Sequence, residues 1–162
     1  MKRFPTIRNA ARLAEDRRES LHLLAETNGR VASHVSLWPQ YFVFDDFRFS
    51  GGYIEDVATD PLDLGRGLAQ EGMRAAAAVA RERGLEMLGL ATGLKGYYER
   101  LGWLPWHGNH TFHIAERNAA YPDQPLYLFP LSAAAKKVAA SDGPMRSWRL
   151  RRFGDVPEVF RG

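Results

Sequence analysis

The sequence contains no cysteine. That absence removes disulfides, thiolate-ligated zinc and a cysteine nucleophile together. Also missing is any apolar run approaching the roughly 18 residues that a membrane span requires. Met1-Lys2-Arg3 leads to Arg8, Arg12 and Glu15 rather than to the hydrophobic core of a signal segment. The chain is therefore expected in the cytoplasm and off the membrane. Internal repeats and dividing linkers are absent too, so residues 1–162 are expected to form one domain around one core.

What is present is a globular composition, 45% hydrophobic, 12% aromatic and 25% charged, which separates the chain from disordered proteins. The net charge of +3 is unevenly placed, with Arg17-Arg18 near one end and Arg146, Arg149, Arg151 and Arg152 near the other. A solvated charged face accounts for this; a polyphosphate or nucleic-acid site is the alternative. No base-reading motif accompanies the arginines, so nucleic acid is not an expected partner.

Along the chain, "NAARLAEDRRES" suits a short amphipathic helix with Leu13 inward. The period then changes to two. "LHLLAETNGRVASHVSLW" is a pair of alternating runs about Asn28-Gly29, a hairpin signal because both turn residues tolerate positive φ. "YFVFDDFRFSGGYIEDVAT" continues as strands with breaks at Asp45-Asp46 and Gly51-Gly52, giving an antiparallel meander from about 21 to 59. From Leu68 to Arg83, the residues Ala69, Met73, Ala76, Ala77 and Ala80 recur at helical spacing, and Gly84 is placed to stop the helix. "LEMLGLAT" follows as a strand, completing a right-handed parallel crossover. A short helix in "KGYYERLGW" and late strands in "HTFHI" and "PLYLFPL" come next, with "AERNAAYPDQ" as turns. After an Ala/Lys segment, "SDGPMRSWRLRRFGDVPEVFRG" reads as an irregular tail.

The mouth of the long helix carries the chemistry. A helix N-terminus exposes unpaired N–H groups and partial positive charge, which suits phosphate. In "DLGRGLA" the residues Gly65, Gly67 and Ala69 lack the bulk that would hold a pyrophosphate off the amides. A tight strand-to-helix turn explains the glycines equally well. The loop is too short for the dinucleotide fingerprint and has no Lys-Ser/Thr for a nucleoside triphosphate.

The order of "GGYIEDVATD", "PLDLGRGLA", long helix, "LEMLGLAT" and "GYYERLGW" resembles the GNAT superfamily of acyl-CoA-dependent N-acetyltransferases. That resemblance implies an α/β fold with a mixed sheet in which two parallel neighbours splay, with acetyl-CoA as cofactor. It implies coenzyme A contacts at Val57, Ala58 and Thr59 and at Gly65, Arg66, Gly67, Leu68 and Ala69. Leu64 stands where the family's pyrophosphate motif has Gln or Arg. "RVASHVSLWPQYFVFDDFRFSGGYIEDVAT", "YYERLGWLPWHG" and "PLYLFPL" further resemble the aminoglycoside 2′-N-acetyltransferases. Against that branch, the N-terminus reads as shortened, lacking the usual first strand and full first helix, and the tail as lengthened.

Acetyl transfer to an amine needs an unprotonated amine, oxyanion stabilisation and a proton for the thiolate. Tyr98 occupies the general acid's place in "GYYERLGW"; without the motif it would read as a core tyrosine. Glu55 sits in an apolar strand, where alternation groups it with Tyr53, Val57 and Thr59. It is the candidate base, acting through water, or a holder of a cationic substrate; an ion pair or loop cap is the structural alternative. His107, His110 and His113 invite a metal reading, but Gly108-Asn109 interrupts any helix and alternation separates His110 from His113, so no metal is expected. Trp103, Trp106 and His107 are expected to wall the acceptor pocket. Asp45, Asp46, Asp123 and Asp155 are turn aspartates or contacts for a polycationic acceptor, with Asp123 and Asp155 fitting the resemblance best. The expected partner is a small-molecule amine, of aminoglycoside-like kind first and a peptide or other small amine second, with a homodimer allowed. A catalytically silent acyl-CoA-binding domain is the reading from another class.

Overall fold

A computed structural model describes residues 19–114, 117–119 and 124–161. The expected helix around Leu13 and the candidate contact Asp123 lie outside the described residues. Strands β1 (Leu21–Thr27) and β2 (Arg30–Phe44) form the hairpin, turning through Asn28 at φ 51° and Gly29 at φ 76°. Strand β3 (Phe47–Thr59) returns antiparallel to β2 after a second tight turn at Asp45-Asp46.

Gly51-Gly52, expected to break the meander, instead lies inside β3. A Cβ on Gly51 would stand 2.3 Å from the Met87 carbonyl oxygen, and one on Gly52 would stand 2.5 Å from Leu37 Cδ1. The pair marks close approach of neighbouring strands rather than a turn.

One 3₁₀ turn (Pro61–Asp63) and a glycine loop lead into α1 (Leu68–Glu82), which stops at Gly84 with φ 70°. Strand β4 (Met87–Ala91) then runs parallel to β3, closing the crossover. Helix α2 (Tyr97–Arg100), β5 (Leu104–Pro105), β6 (His110–Ile114), β7 (Arg117–Ala119), β8 (Leu126–Pro130) and α3 (Ala133–Ala139) follow. The tail is not irregular: Met145–Arg149 forms β9, antiparallel to β2 and parallel to β6. The mixed sheet has the order β5-β8-β4-β3-β2-β9-β6-β7, with β1 paired to the first half of β2. No helix among the described residues is long and apolar enough to cross a membrane.

Two apolar layers cover the two faces of this sheet. On one, α1 and α2 pack Met73, Ala76, Ala80, Tyr98 and Trp103 on Val35, Leu37, Ile54 and Leu88. On the other, α3 packs Ala135 and Val138 with Phe42, Tyr53, Met87, Trp106 and Leu128. Gly72 lets α1 close on β2, because a Cβ there would stand 2.8 Å from Val35 Cγ2. The active elements therefore emerge from a sheet buried on both sides.

Candidate functional site

The loop before α1 is left-handed twice, at Gly65 and Gly67, each with φ 75° and with nothing within 4 Å of an added Cβ. Gly67 is the N-cap of α1 and brings no side-chain cap, so among the described residues the first amides of the helix have no capping side chain. The loop is anchored from behind. Arg30 bridges Asp60 at 2.9 Å and Asp63 at 2.5 Å, and Arg66 also pairs with Asp63. Burial works to raise the Asp63 carboxyl, but the guanidiniums of Arg30 and Arg66 outweigh it and hold it below the ordinary carboxylate range. The side chain of Arg66 is thus turned to the loop's own carboxylate. Leu68 is buried against Ala25 and Ala32, while Leu64 is 65% exposed.

Beside this loop the sheet opens. β3 pairs with β4 only from Gly51 to Tyr53, opposite Met87 to Gly89, yet β3 continues to Thr59 and β4 to Ala91. β4 follows β8 instead, through Ala91 paired with Leu126 and the Thr92 amide on the Pro125 carbonyl at 3.0 Å. Among the described residues, the β4-facing edge of residues 55–59 is left without a strand partner, forming a V beside the loop that leads into α1.

A bulge sharpens the opening. Ser36 pairs with Glu55 and His34 with Ala58, so Asp56 and Val57 together oppose Val35, and Asp56 takes φ 54°. The extra residue overturns the expected alternation. Glu55 stays with Tyr53, whereas Val57 packs on the α1 face with Ile54.

On the face away from α1, Glu55 meets Arg149. Arg149 Nη2 donates to Glu55 Oε1 at 2.6 Å and its Nε donates to Gln40 Oε1 at 3.1 Å. Gln40 Nε2 donates to Ser147 Oγ at 2.9 Å, and His110 Nε2 lies 2.8 Å from the same hydroxyl. The Arg149 guanidinium sits over Trp38, Tyr53 and Phe112, between 5.2 and 5.6 Å from their ring centres. Burial, with His113 nearby, lowers His110 to about 4, so it is neutral at neutral pH. Arg149 was expected on a solvated charged face; its side chain is 7% exposed, because strand alternation sends Arg149 and Ser147 inward and Arg146 outward. No sequence pattern identified Arg149, Gln40 or Trp38 as members of the site. The nearest signal was the alternation in "MRSWR".

Tyr98 lies on the α1 face, 5% exposed, among Tyr97, Trp103 and Tyr127. Burial first, and Tyr97 second, raise its phenol above the ordinary value, so it remains protonated. Tyr98 therefore lies on one face of the sheet and Glu55 with Arg149 on the other.

The expected wall of Trp103, Trp106 and His107 is not formed. Trp103 packs with Tyr98 and Phe129, Trp106 packs on the opposite face against Phe44, and His107 is exposed. The two residues between the tryptophans carry the chain across the sheet edge. Asp155 is also elsewhere, beside Val156 in the tail that packs on Tyr41 and Trp148, opposite the face of Arg149. His110 and His113 point to opposite faces as alternation requires, His113 stacking on Trp148 at 4.5 Å.

A groove of about 350 Å³ runs between α1 and α2 over Trp103 and Phe129. Arg74, Arg81 and Arg100 line it, none of them ion-paired among the described residues. Arg74 stands about 9 Å along the helix from Leu68 at 1.5 Å per residue. The groove thus offers positive charge within a nucleotide's reach of the loop.

Residues 2–103 match the model of the Acetyltransferase (GNAT) family. Among solved structures, a GNAT family N-acetyltransferase of Escherichia coli in complex with CoA matches 78% of this chain and 66% of its own length, with 18% identity and a TM-score of 0.58. A GNAT-family acetyltransferase of Staphylococcus aureus matches 70% of this chain and 68% of its own, with 12% identity and a TM-score of 0.51. A GCN5-related N-acetyltransferase of Kribbella flavida matches 54% of this chain but only 22% of its own length, with 22% identity and a TM-score of 0.50. The chain thus spans about a fifth of that larger protein, and at these identities the likeness is one of fold. No curated protein matches the sequence.

Proposed function

We propose, for a chain that belongs to the Acetyltransferase (GNAT) family, that it transfers an acetyl group from acetyl-CoA to a primary amine. The observation that carries this reading is the V between β3 and β4, open beside a helix N-terminus without a side-chain cap, in a sheet that bears a protonated phenol on one face and a carboxylate on the other. The amides of residues 65–69 would hold the pyrophosphate, and the arginines of the α1–α2 groove the nucleotide end. Acetyl-CoA supplies the thioester. The unpartnered edge at Val57 to Thr59 would carry its pantetheine arm as a strand does. In that frame the amine nitrogen bonds to the acetyl carbon, the C–S bond breaks, Tyr98 gives its proton to sulfur, and the ammonium proton leaves towards Glu55 through water.

For the acceptor, an aminoglycoside-like amino sugar is the first class to test, with Glu55 meeting its ammonium. A second reading is favoured by Arg149: an amine that also bears an anionic group would match a carboxylate and a guanidinium held side by side. Thiol release from acetyl-CoA should be measured against amino sugars, amino acids, peptides and simple amines, followed by product mass. Turnover with a primary amine supports the function, and the preferred class separates the two acceptors. Tight acetyl-CoA binding with no product from any amine would replace the enzyme with a silent binding domain.

Gly67→Val is expected to weaken acetyl-CoA binding about tenfold or more, since a branched side chain would fill the phosphate's approach and disfavour φ 75°. Gly84→Val is the control, because Gly84 has φ 70° and equal space around it at the far end of α1. Titration calorimetry should show an affinity loss only at Gly67; equal losses would make backbone strain the cause.

A further inference from the structure

The bulge at Asp56 is held by side chains where the ladder is interrupted. Ser36 Oγ lies 2.9 Å from the Glu55 carbonyl oxygen and 3.0 Å from the Asp56 carboxylate, sharing its hydrogen between them. His34 Nδ1 lies 3.1 Å from the Asp56 carbonyl oxygen, and Ser33 Oγ donates to the Ala58 carbonyl at 2.9 Å. Three donors from the run Ser33-His34-Val35-Ser36 therefore secure the carbonyls of residues 55, 56 and 58. Alternation along β2 brings Ser33 from one face and His34 and Ser36 from the other.

His34 does not stand alone. Its Nε2 is 2.7 Å from His22 Nδ1, and His22 Nε2 is 3.2 Å from Ser20 Oγ. A carbonyl only accepts, so His34 Nδ1 must carry the hydrogen that reaches Asp56. His34 Nε2 is then an acceptor, His22 Nδ1 donates to it, and His22 Nε2 accepts from Ser20. One arrangement of hydrogens satisfies all three contacts with both rings neutral. Burial first, and the neighbouring His34 next, lower His22 against the opposing pull of Asp56, which favours a neutral His22.

We propose that His34, fixed in one tautomer by His22 and Ser20 and flanked by Ser33 and Ser36, is a positioning residue that aims the Val57 N–H into the V. All peptide bonds here are trans, and in a trans peptide the carbonyl and the following N–H point opposite ways. A carbonyl of Asp56 drawn towards β2 turns the Val57 N–H towards the open side between β3 and β4. A donor on that carbonyl also polarises the peptide and strengthens its N–H. The inference rests on the acetyl-transfer reading above and adds to it the group that polarises the thioester carbonyl, the Val57 N–H. Asp56 at φ 54° is in a region uncommon for a non-glycine residue, though one that aspartate enters more readily than most, and these contacts favour it.

The test compares His34→Phe with His34→Asn, whose amide nitrogen sits the same number of bonds from the backbone as Nδ1. With the best acceptor, His34→Phe is expected to lower kcat about 10- to 100-fold, less than the roughly 10²- to 10³-fold of removing an oxyanion donor outright, with acetyl-CoA affinity within about twofold. His34→Asn is expected to recover kcat to within about fivefold. The Val57 amide proton shift should move in His34→Phe and return towards the parent in His34→Asn. Equal impairment of both variants, or wild-type kcat in His34→Phe, would overturn the proposal. Should His34→Phe not fold, His34→Leu removes the donor with less bulk. If no amine is acetylated even by the parent, the functional reading fails by itself; the Val57 shift still decides the brace, an unmoved amide counting against it.

Discussion

Tyr98→Phe is expected to acetylate its best amine at least about 100-fold more slowly than the parent while binding acetyl-CoA equally well. The substitution removes one oxygen and leaves the ring, so the contacts with Tyr97, Trp103 and Tyr127 survive. What disappears is the only function a core phenylalanine lacks: a proton for the leaving thiolate. A thiol of pKa about 8.5 is a weaker base than a phenolate of about 10, so transfer is uphill in water and depends on placement within the site. Burial raises the phenol further and guarantees that it is loaded with its proton before each turnover. The same shift has a stability consequence. The folded phenol titrates above the unfolded one, so its contribution is complete below about pH 10 and is lost as pH rises through the raised value. Parent and variant melting curves should therefore coincide near neutrality and separate only in alkali, where the parent loses more. A pre-steady-state measurement isolates the chemical step from product release. Unchanged turnover in that measurement would return Tyr98 to the role of a packing residue.

The path from sequence to site was uneven, for physical reasons that differ by residue. Asn28-Gly29, the α1 stripe and Gly84 were readable because each is a local conformational requirement: two residues at positive φ, an apolar face at helical spacing, a left-handed stop. The order of strands, loop and helices carried the family resemblance, and with it the α/β mixed sheet. Gly51-Gly52 misled because a glycine pair signals a turn and a close strand contact alike; the Met87 carbonyl that decides between them comes from a distant part of the chain. The bulge at Asp56 was invisible for a related reason. One inserted residue with a non-glycine side chain leaves no mark on composition, yet it moves Val57 to the other face of β3. Arg149 was hidden by its neighbours. Four arginines within seven residues look like a solvated tail, and only the pairing of β9 with β2 shows that one of them belongs inside. The wall of Trp103, Trp106 and His107 failed because the resemblance supplies residues in order but not the face on which each one lands.

The coupling between Glu55 and Arg149 is the second place where a large effect is expected, and a double-mutant cycle is the way to read it. Removing Glu55 leaves a guanidinium 7% exposed between three rings, while removing Arg149 leaves a carboxylate that is 37% exposed and regains water. The two losses are therefore unequal. Glu55→Gln strands a charge in a nearly dry place, which costs on the order of 3 kcal/mol where a buried pair is broken. The three ring faces offset part of this, at about 0.5 to 2 kcal/mol for such contacts. Arg149→Met keeps much of the side-chain volume but leaves Gln40 Oε1, fully buried, without its donor, a cost of about 1 to 3 kcal/mol. Together the two changes remove both charges, so the double variant should be less unstable than the sum of the singles by about 1.5 kcal/mol or more. Denaturant melts of the four proteins give that number directly. Additivity within about 0.5 kcal/mol would mean that the two side chains touch without depending on one another. Arg149→Lys is expected to behave as Arg149→Met in this cycle rather than as the parent, because one ammonium cannot span Gln40 and Glu55 as the planar fork does. The catalytic readout follows from the same geometry. If Arg149 grips an anion on the acceptor, Arg149→Met should raise KM for acidic amines about tenfold or more beyond any change seen with neutral amines, since a charge-assisted bond contributes about 1.5 to 3 kcal/mol. A change shared by all amines would report the loss of Glu55's partner, whereas a rise in KM confined to acidic amines would report a grip on the acceptor's anion, so the same variant that tests the pair also separates the two acceptor classes.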